Sequence, residues 1–185
     1  MNKLKILVLI LPFLISSACI SKDDDVVLDG ETIYFQFEYI NYAWSFQHRG
    51  FIIDQQGNIY DYKLPEDWIS AENDKISMKD FESNLSKTDI RLTTLSENDI
   101  KKIEILALNA KYGKLTEPKY VMADAGGEVY AIYMASEGEE ILTKYLLQQR
   151  GDVYQKNKSS ASDKITNWLI DIRGETGFGH EPFDD

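Results

Sequence analysis

The sequence contains little of what common catalytic sites are built from. It has one cysteine, Cys19, and two histidines, His48 and His180. A single cysteine cannot form an internal disulfide, and two distant histidines do not make the His and Cys cluster of a zinc site. No serine lies in a G-x-S-x-G motif, which is the signature of a strained nucleophile turn. These absences argue against a zinc enzyme and against a Ser-His-Asp hydrolase.

Sites for phosphate, calcium and glycoside hydrolysis have no clear sequence signal either. The glycine-rich segment 174–179 follows a predicted helix, whereas a dinucleotide-binding loop stands between a strand and a helix. The acidic runs at 23–25 and 181–185 lack the alternating acids and central glycine of a calcium loop. Paired carboxylates that could cleave a glycoside arise by chance among 31 acids. We therefore predict no catalytic residue, no metal site and no cofactor, and we favour a non-enzymatic protein over an enzyme.

Basic residues are also scarce. The chain has 20 Lys and Arg against 31 Asp and Glu, which gives a formal net charge of −11. A nucleic-acid partner is not expected, because phosphate contacts require a basic surface. The composition favours neutral or cationic partners such as glycans, peptides, proteins or metal ions, or else the acidity serves solubility alone.

The N-terminus has the three regions of a secretory signal peptide. Lys3 and Lys5 precede an apolar run at 6–15, and small residues follow at 16–18. The apolar run is too short to cross a bilayer core, which takes about 20 residues. We predict that residues 1–18 are an export signal that is removed by cleavage.

Cys19 follows these small residues directly. The segment Ser16-Ser17-Ala18-Cys19 resembles the lipobox of bacterial lipoproteins, with Ser16 where most lipoboxes have an aliphatic residue. The resemblance implies cleavage before Cys19 and attachment of fatty-acyl chains, palmitate among them, to this cysteine. Mature bacterial lipoproteins usually carry three chains, and several chains anchor a protein far more firmly than one. We expect the domain to be attached to a membrane through this lipid.

An acidic run follows the cysteine. Lys22, Asp23, Asp24 and Asp25 resemble the surface-export signal of Bacteroidota-type lipoproteins. The resemblance implies an outer-membrane lipoprotein displayed on the cell surface, although a run of like charges also extends a simple tether. The expected organisation is a signal peptide at 1–18, an acidic tether at 19–30, a single domain at 31–173 and a flexible acidic tail at 174–185.

The expected domain mixes strand-like and helical segments. Residues 32–39 alternate as a strand does, with Phe35, Phe37 and Tyr39 on one face. We predict an α+β domain in which an antiparallel sheet, built from hairpins, packs two or three helices on one face; the two strand-rich regions could instead form two small sheets. The predicted elements are hairpins at 50–62 and 120–133, a strand at 141–147, and helices capped by Ser77, by Ser96 and by Ser160, Ser162 or Asp163.

Aromatic side chains crowd the first strand-rich region. Tyr42, Trp44 and Trp68, together with His48, are the candidate ligand-binding residues, because exposed aromatic rings stack on sugars or anchor protein interfaces. In the alternative interpretation, Trp44 and Phe46 alternate with small residues and pack into the core.

The expected function is that of a lipid-anchored envelope protein with a non-enzymatic domain that binds a ligand or a protein, such as a glycan or a protein partner. Residues 41–54 resemble lipoproteins of the same bacterial group to which no activity is attached, so that resemblance implies no site residue. Two alternatives stay open. One is a surface hydrolase that cleaves glycan or peptide with carboxylates. The other is a membrane-tethered inhibitor or immunity protein, whose acidity would suit a basic partner.

Overall fold

The computed structural model describes residues 30–43 and 45–175. The predicted signal peptide, Cys19, the acidic run, Trp44 and residues 176–185 lie outside the described residues. The described chain contains nine strands and three helices: β1 (Glu31–Asn41), β2 (Gln47–Ile53), β3 (Ile59–Lys63), β4 (Lys75–Ser77), α1 (Met78–Leu85), β5 (Asp89–Ile90), α2 (Glu97–Ala110), β6 (Lys119–Tyr120), β7 (Gly127–Ser136), β8 (Ile141–Gly151), β9 (Val153–Lys156) and α3 (Ser160–Glu175).

The strands form one antiparallel sheet. Their order is β5-β3-β2-β1-β7-β8-β9-β6, and β4 pairs with the start of β8. The two strand-rich regions of the sequence join through β1 and β7, which pair along the chain from Glu31 to Ile40. The alternative of two small sheets is therefore wrong, whereas the predicted α+β class with an antiparallel sheet and three helices is confirmed.

β1 lies in the middle of the sheet and is buried on both faces. The predicted alternation is confirmed: Phe35 and Phe37 lie on one face, and Gln36 and Glu38 lie on the other. All four side chains are buried, because a separate layer of the protein covers each face. Burial of a large apolar side chain such as Phe stabilises a fold by about 1.5–3 kcal/mol.

Helices α2 and α3 cover the face that carries Phe35 and Phe37. Ile100 of α2 and Leu169 of α3 belong to the same buried cluster as these two rings. Trp168 of α3 meets Phe35 edge-on, with ring centroids 5.3 Å apart. The core of the domain is therefore formed between this face and the two longer helices.

Helix α1 covers the opposite face. Phe81 packs against Tyr34 of β1 and Tyr133 of β7, with ring centroids 4.6 and 5.0 Å apart. Ile76 and Leu142 complete this second buried cluster. The prediction that all helices lie on one face is therefore wrong. Strand periodicity distinguishes two faces of a sheet, but it does not identify the segment that covers each face.

The first predicted hairpin is confirmed. β2 and β3 pair directly, and residues 54–58 connect them. In this turn Asp54 Oδ1 accepts the N–H groups of Gln56 and Asn58, at 2.9 and 2.8 Å. Gly57 has a φ of +81°, a left-handed conformation that glycine adopts without a steric penalty.

The second predicted hairpin, between residues 120–123 and 129–133, is wrong. β6 pairs with β9 at the far edge of the sheet, whereas β7 pairs with β1 and β8. Gly126, between these segments, has a left-handed φ of +73° and allows close packing, since a Cβ on it would lie 2.5 Å from the Ile40 carbonyl oxygen. The predicted strand at 141–147 is confirmed as part of β8.

Helices α1 and α2 begin at the predicted caps. The hydroxyl oxygens of Ser77 and Ser96 accept the N–H of the residue three positions later, at 3.0 and 3.2 Å. Each cap satisfies a backbone donor that the first helical turn leaves unpaired. In the described part of the chain, no helix is long and apolar enough to cross a membrane.

Helix α3 begins at Ser160, one residue before the earliest predicted start. Ser159 Oγ accepts the N–H of Ser162, at 3.2 Å, so Ser159 caps the helix and the predicted Ser160, Ser162 or Asp163 does not. The helix also continues to Glu175, beyond the predicted end of the domain at 173.

Candidate functional site

Three of the four predicted ligand-binding residues lie at one end of the sheet, on the face that α1 covers. Ring contacts connect them. The His48 ring centroid is 5.3 Å from that of Trp68 and 6.2 Å from that of Phe46. Phe46 in turn lies 5.3 Å from Tyr42. Trp44, the fourth predicted residue, lies outside the described residues, and the other three form one continuous aromatic group.

Glu38 and His48 form a buried pair at the base of this group. They project from adjacent strands, and Glu38 Oε1 lies 2.9 Å from His48 Nε2. Their side chains are only 10% and 5% exposed. Burial of two ionisable groups is costly unless they pair closely and their remaining polar atoms are hydrogen-bonded. The pair holds the His48 ring in one orientation, with its faces and edges against neighbouring aromatic rings.

Tyr62 lies next to this pair, over the bare backbone of Gly50. A Cβ on Gly50 would lie 2.5 Å from the Tyr62 hydroxyl oxygen, so the position of Tyr62 depends on glycine. Gln36 Nε2 donates to the Tyr62 hydroxyl at 2.9 Å, and that hydroxyl donates to the Phe37 carbonyl at 3.3 Å. Burial, and then the negative charge of Glu38, raise the pKa of Tyr62 well above its usual value. The hydroxyl therefore stays protonated.

Trp68 packs against this group and is half-buried. Its ring lies 4.4 Å from Tyr62, centroid to centroid, and perpendicular to His48. Asn84 of α1 holds the segment that carries Trp68: its side chain accepts the N–H of Ile69 at 2.9 Å and donates to the Ile69 carbonyl at 2.7 Å. Trp68 therefore forms a wall of the site, and it is not a freely exposed stacking platform.

Tyr42 and Phe46 project from the β1–β2 connection into solvent, and we call this pair the aromatic surface. Tyr42 is 77% exposed and Phe46 is 49% exposed, so the interpretation of Phe46 as a core residue is wrong. Their rings are tilted by 32° with centroids 5.3 Å apart. Exposed apolar rings beside one another are typical of interaction sites.

A cleft of about 360 Å³ opens beside Tyr42, and we call it the side cleft. Asn41 ties its two rims together: Oδ1 accepts the N–H of Ala43 at 2.8 Å, and Nδ2 donates to the Asp124 carbonyl at 3.4 Å. The side cleft is lined by Ile40, Asn41, Tyr42, Ala43, Asp124, Gly126, Gly127, Gln149, Asp152 and Val153.

Neither His48 nor Glu104 is positioned to act as an acid or a base in the side cleft. A general base must come within hydrogen-bond reach of its substrate, but His48 is 4% exposed and lies beneath aromatic rings. A raised carboxyl pKa is a mark of a general acid, and burial raises the pKa of Glu104. Glu104, however, lies on α2 at the opposite face of the sheet and does not line the side cleft. Among the described residues, no group of three or more His, Cys, Asp or Glu is arranged to hold a metal ion.

No protein-family model matches the chain, and no curated protein matches it.

Sequence reasoning missed several members of the site. Glu38 and Tyr62 were recognisable only as strand residues, although a carboxylate in a strand rich in aromatic residues is a signal for a buried partner. Asp124 and Asp152 come from two connections that meet only because β7 and β8 pair. No local pattern places these two residues in one cleft.

Proposed function

We propose that this chain is a lipid-anchored protein of the bacterial envelope whose α+β domain binds a ligand or partner through the aromatic surface. The observation that carries the proposal is the exposure of Tyr42 and Phe46, whose tilted rings contact each other beside the buried Glu38–His48 pair. Rigid aromatic side chains supply large contact area at a low entropic cost, which is why they dominate binding hot spots.

Rigidity of the supporting residues favours binding at this surface. His48 contacts Phe46, and the Trp68 segment is fastened by two hydrogen bonds to Asn84. A site that is ordered before its ligand arrives avoids part of the entropy cost of association. The net charge of −11 also directs the domain toward neutral or cationic partners.

The anchor is Cys19, and the proposal places the domain outside the cytosol. Support comes from the residues at 1–18 and from the resemblance of Ser16-Ser17-Ala18-Cys19 to a lipobox. The acidic run Asp23-Asp24-Asp25 favours display on the outer face of the outer membrane over the periplasm.

Cell fractionation tests the anchor. We expect Cys19→Ala to move the protein from the membrane fraction to the soluble fraction, because the acyl chains lose their attachment site. Ser21→Ala is the matched control and should leave the protein in membranes. Unchanged membrane association of the Cys19→Ala chain would contradict the anchor.

Site-specific photo-crosslinking tests binding at the aromatic surface. Tyr42 is replaced by photoreactive benzoylphenylalanine in intact cells, and Tyr112, which is equally exposed at 79%, is replaced in a control. We expect a discrete adduct from position 42 that is absent from position 112. Adducts that are equal at both positions, or absent from both, would contradict a binding role for this surface.

A further inference from the structure

We infer that the side cleft is a subsite for a neutral saccharide, with the ring of Tyr42 as its stacking wall. The inference rests on the proposed binding function and names the chemical class of the ligand. The volume of the side cleft, about 360 Å³, lies within the range of small-molecule sites, about 300–1,000 Å³.

The rims of the side cleft are fixed by backbone hydrogen bonds. Asp152 N–H donates to the Gly126 carbonyl at 2.9 Å, and Asp152 Oδ1 accepts the N–H of Ala125 at 2.8 Å. On the other rim, Asn41 holds both Ala43 and the connection that carries Asp124. The backbone around the cleft is therefore ordered before a ligand binds, which lowers the entropy cost of binding.

The side cleft offers both donors and acceptors. Asp152 Oδ2 and the Asp124 carboxylate have no hydrogen-bond partner among the described residues. Each can accept a hydrogen bond from a hydroxyl group. Gln149 contributes an amide whose NH₂ donates and whose oxygen accepts, and it too has no partner within the described part of the chain. Sugar hydroxyls, which donate and accept at once, satisfy such a mixed set.

Tyr42 supplies the apolar component. Its ring is 77% exposed and is braced by Phe46. The C–H faces of a pyranose ring cover an aromatic face in the way that other apolar surfaces do, and the phenol hydroxyl adds a polar contact at the ring edge. A polar cleft with one aromatic wall therefore matches a ring that has hydroxyls at its rim and C–H groups on its faces.

A cationic peptide is the competing ligand, since no Lys or Arg lines the side cleft. A lysine or arginine side chain only donates hydrogen bonds, so it would pair with Asp124 and Asp152, and only the backbone carbonyls of the peptide could accept from the Gln149 NH₂ group. Each sugar hydroxyl, in contrast, can both donate to the carboxylates and accept from Gln149. The mixed donor and acceptor set therefore favours the saccharide.

Gly127 provides a sharp probe of the side cleft. A Cβ on Gly127 would have Gln149 Nε2, at 3.9 Å, as its nearest described heavy atom outside its chain neighbours. The distance is an ordinary van der Waals contact, so Gly127→Ala fits the fold and adds a methyl group to the cleft lining. Gly126 is unsuitable, because its Cβ would lie 2.5 Å from the Ile40 carbonyl oxygen.

The test is isothermal titration calorimetry on the full chain purified in detergent. The probes are neutral tetrasaccharides of glucose, mannose, galactose and N-acetylglucosamine, with tetralysine as the cationic comparison. We expect at least one tetrasaccharide to bind, and Tyr42→Ala and Gly127→Ala each to weaken it by about tenfold. Tyr112→Ala, which removes an equally exposed ring elsewhere, should leave its affinity unchanged.

Three results would overturn the inference. They are the failure of all four tetrasaccharides to bind, saccharide binding that neither Tyr42→Ala nor Gly127→Ala weakens, and binding of tetralysine alone. In each case the adduct from position 42 in the photo-crosslinking experiment still reports separately on the proposed function. Tyr42→Ala should fold normally, because Tyr42 is exposed. The test therefore remains decisive even if Gly127→Ala disturbs the sheet.

Discussion

Replacement of Glu104 by glutamine should stabilise this protein at neutral pH. Glu104 lies on α2 in line with Ile100 and Ala107, and it is 5% exposed. Its Oε1 atom has no hydrogen-bond partner among the described residues. Burial raises the pKa of its carboxyl, although a hydrogen bond from Gln55 and the charge of Lys101 act in the opposite direction. The folded state therefore holds a buried carboxyl group that is only partly compensated, because one of its two oxygens lacks a partner among the described residues.

The expected gain is modest and depends on pH. A buried acceptor without a partner costs about 1–3 kcal/mol, and glutamine keeps some of that cost, so we expect a gain of about 1 kcal/mol near pH 7. The native carboxyl binds its proton more tightly than the unfolded one, whose pKa is near 4.5. The stability of the natural chain should therefore fall as pH rises from about 4.5 through the raised native pKa, and then level off.

Urea denaturation followed by tryptophan fluorescence, at a series of pH values, measures this difference. Glu104→Gln should match the natural chain in acid and exceed its free energy of unfolding by about 1 kcal/mol near neutrality. Glu97→Gln is the matched control on the same helix, since Glu97 is exposed and paired with Lys101, and it should give no gain. Equal stability of Glu104→Gln and the natural chain near neutrality, or a gain that does not change with pH, would show that the buried carboxyl of Glu104 does not destabilise the fold.

Three further predictions follow from the sheet, the Trp68 segment and the tether. Gly50→Ala should lower the free energy of unfolding by about 1–3 kcal/mol in urea denaturation, because its Cβ would lie 2.1 Å from the Phe37 carbonyl oxygen and 2.5 Å from the Tyr62 hydroxyl oxygen; an unchanged midpoint would contradict this close packing around Gly50. Asn84→Ala should lower the free energy of unfolding by about 1–3 kcal/mol and speed hydrogen exchange at the Ile69 amide, whose N–H donates to Asn84 Oδ1 in the natural chain; unaltered exchange there would contradict the role of Asn84. Replacement of Asp23, Asp24 and Asp25 by Ala should protect the protein from protease added to intact cells, and undiminished surface cleavage would argue against their role in export.

Local patterns in the sequence predicted the first hairpin and the caps of two of the three described helices. The turn at Gly57 and the caps at Ser77 and Ser96 depend on nearby residues, so sequence alone identifies them. The alternation of Phe35 and Phe37 likewise indicated a strand and one of its buried faces.

Long-range pairing was not predictable in the same way. The sequence predicted a hairpin at 120–133, but both edges of β7 pair with longer strands, β1 and β8. Glu38 meets His48 only because β1 and β2 pair in one particular register, and a shift of one residue would place them on opposite faces. The pairs of residues that form the candidate site therefore depend on strand pairing, which the sequence of a single segment does not determine.

Intact mass spectrometry of the native protein reads the lipid anchor itself. We expect a chain that begins at Cys19 and carries fatty-acyl chains on that residue. A chain that begins at Met1, or a Cys19 without acyl groups, would contradict the anchor.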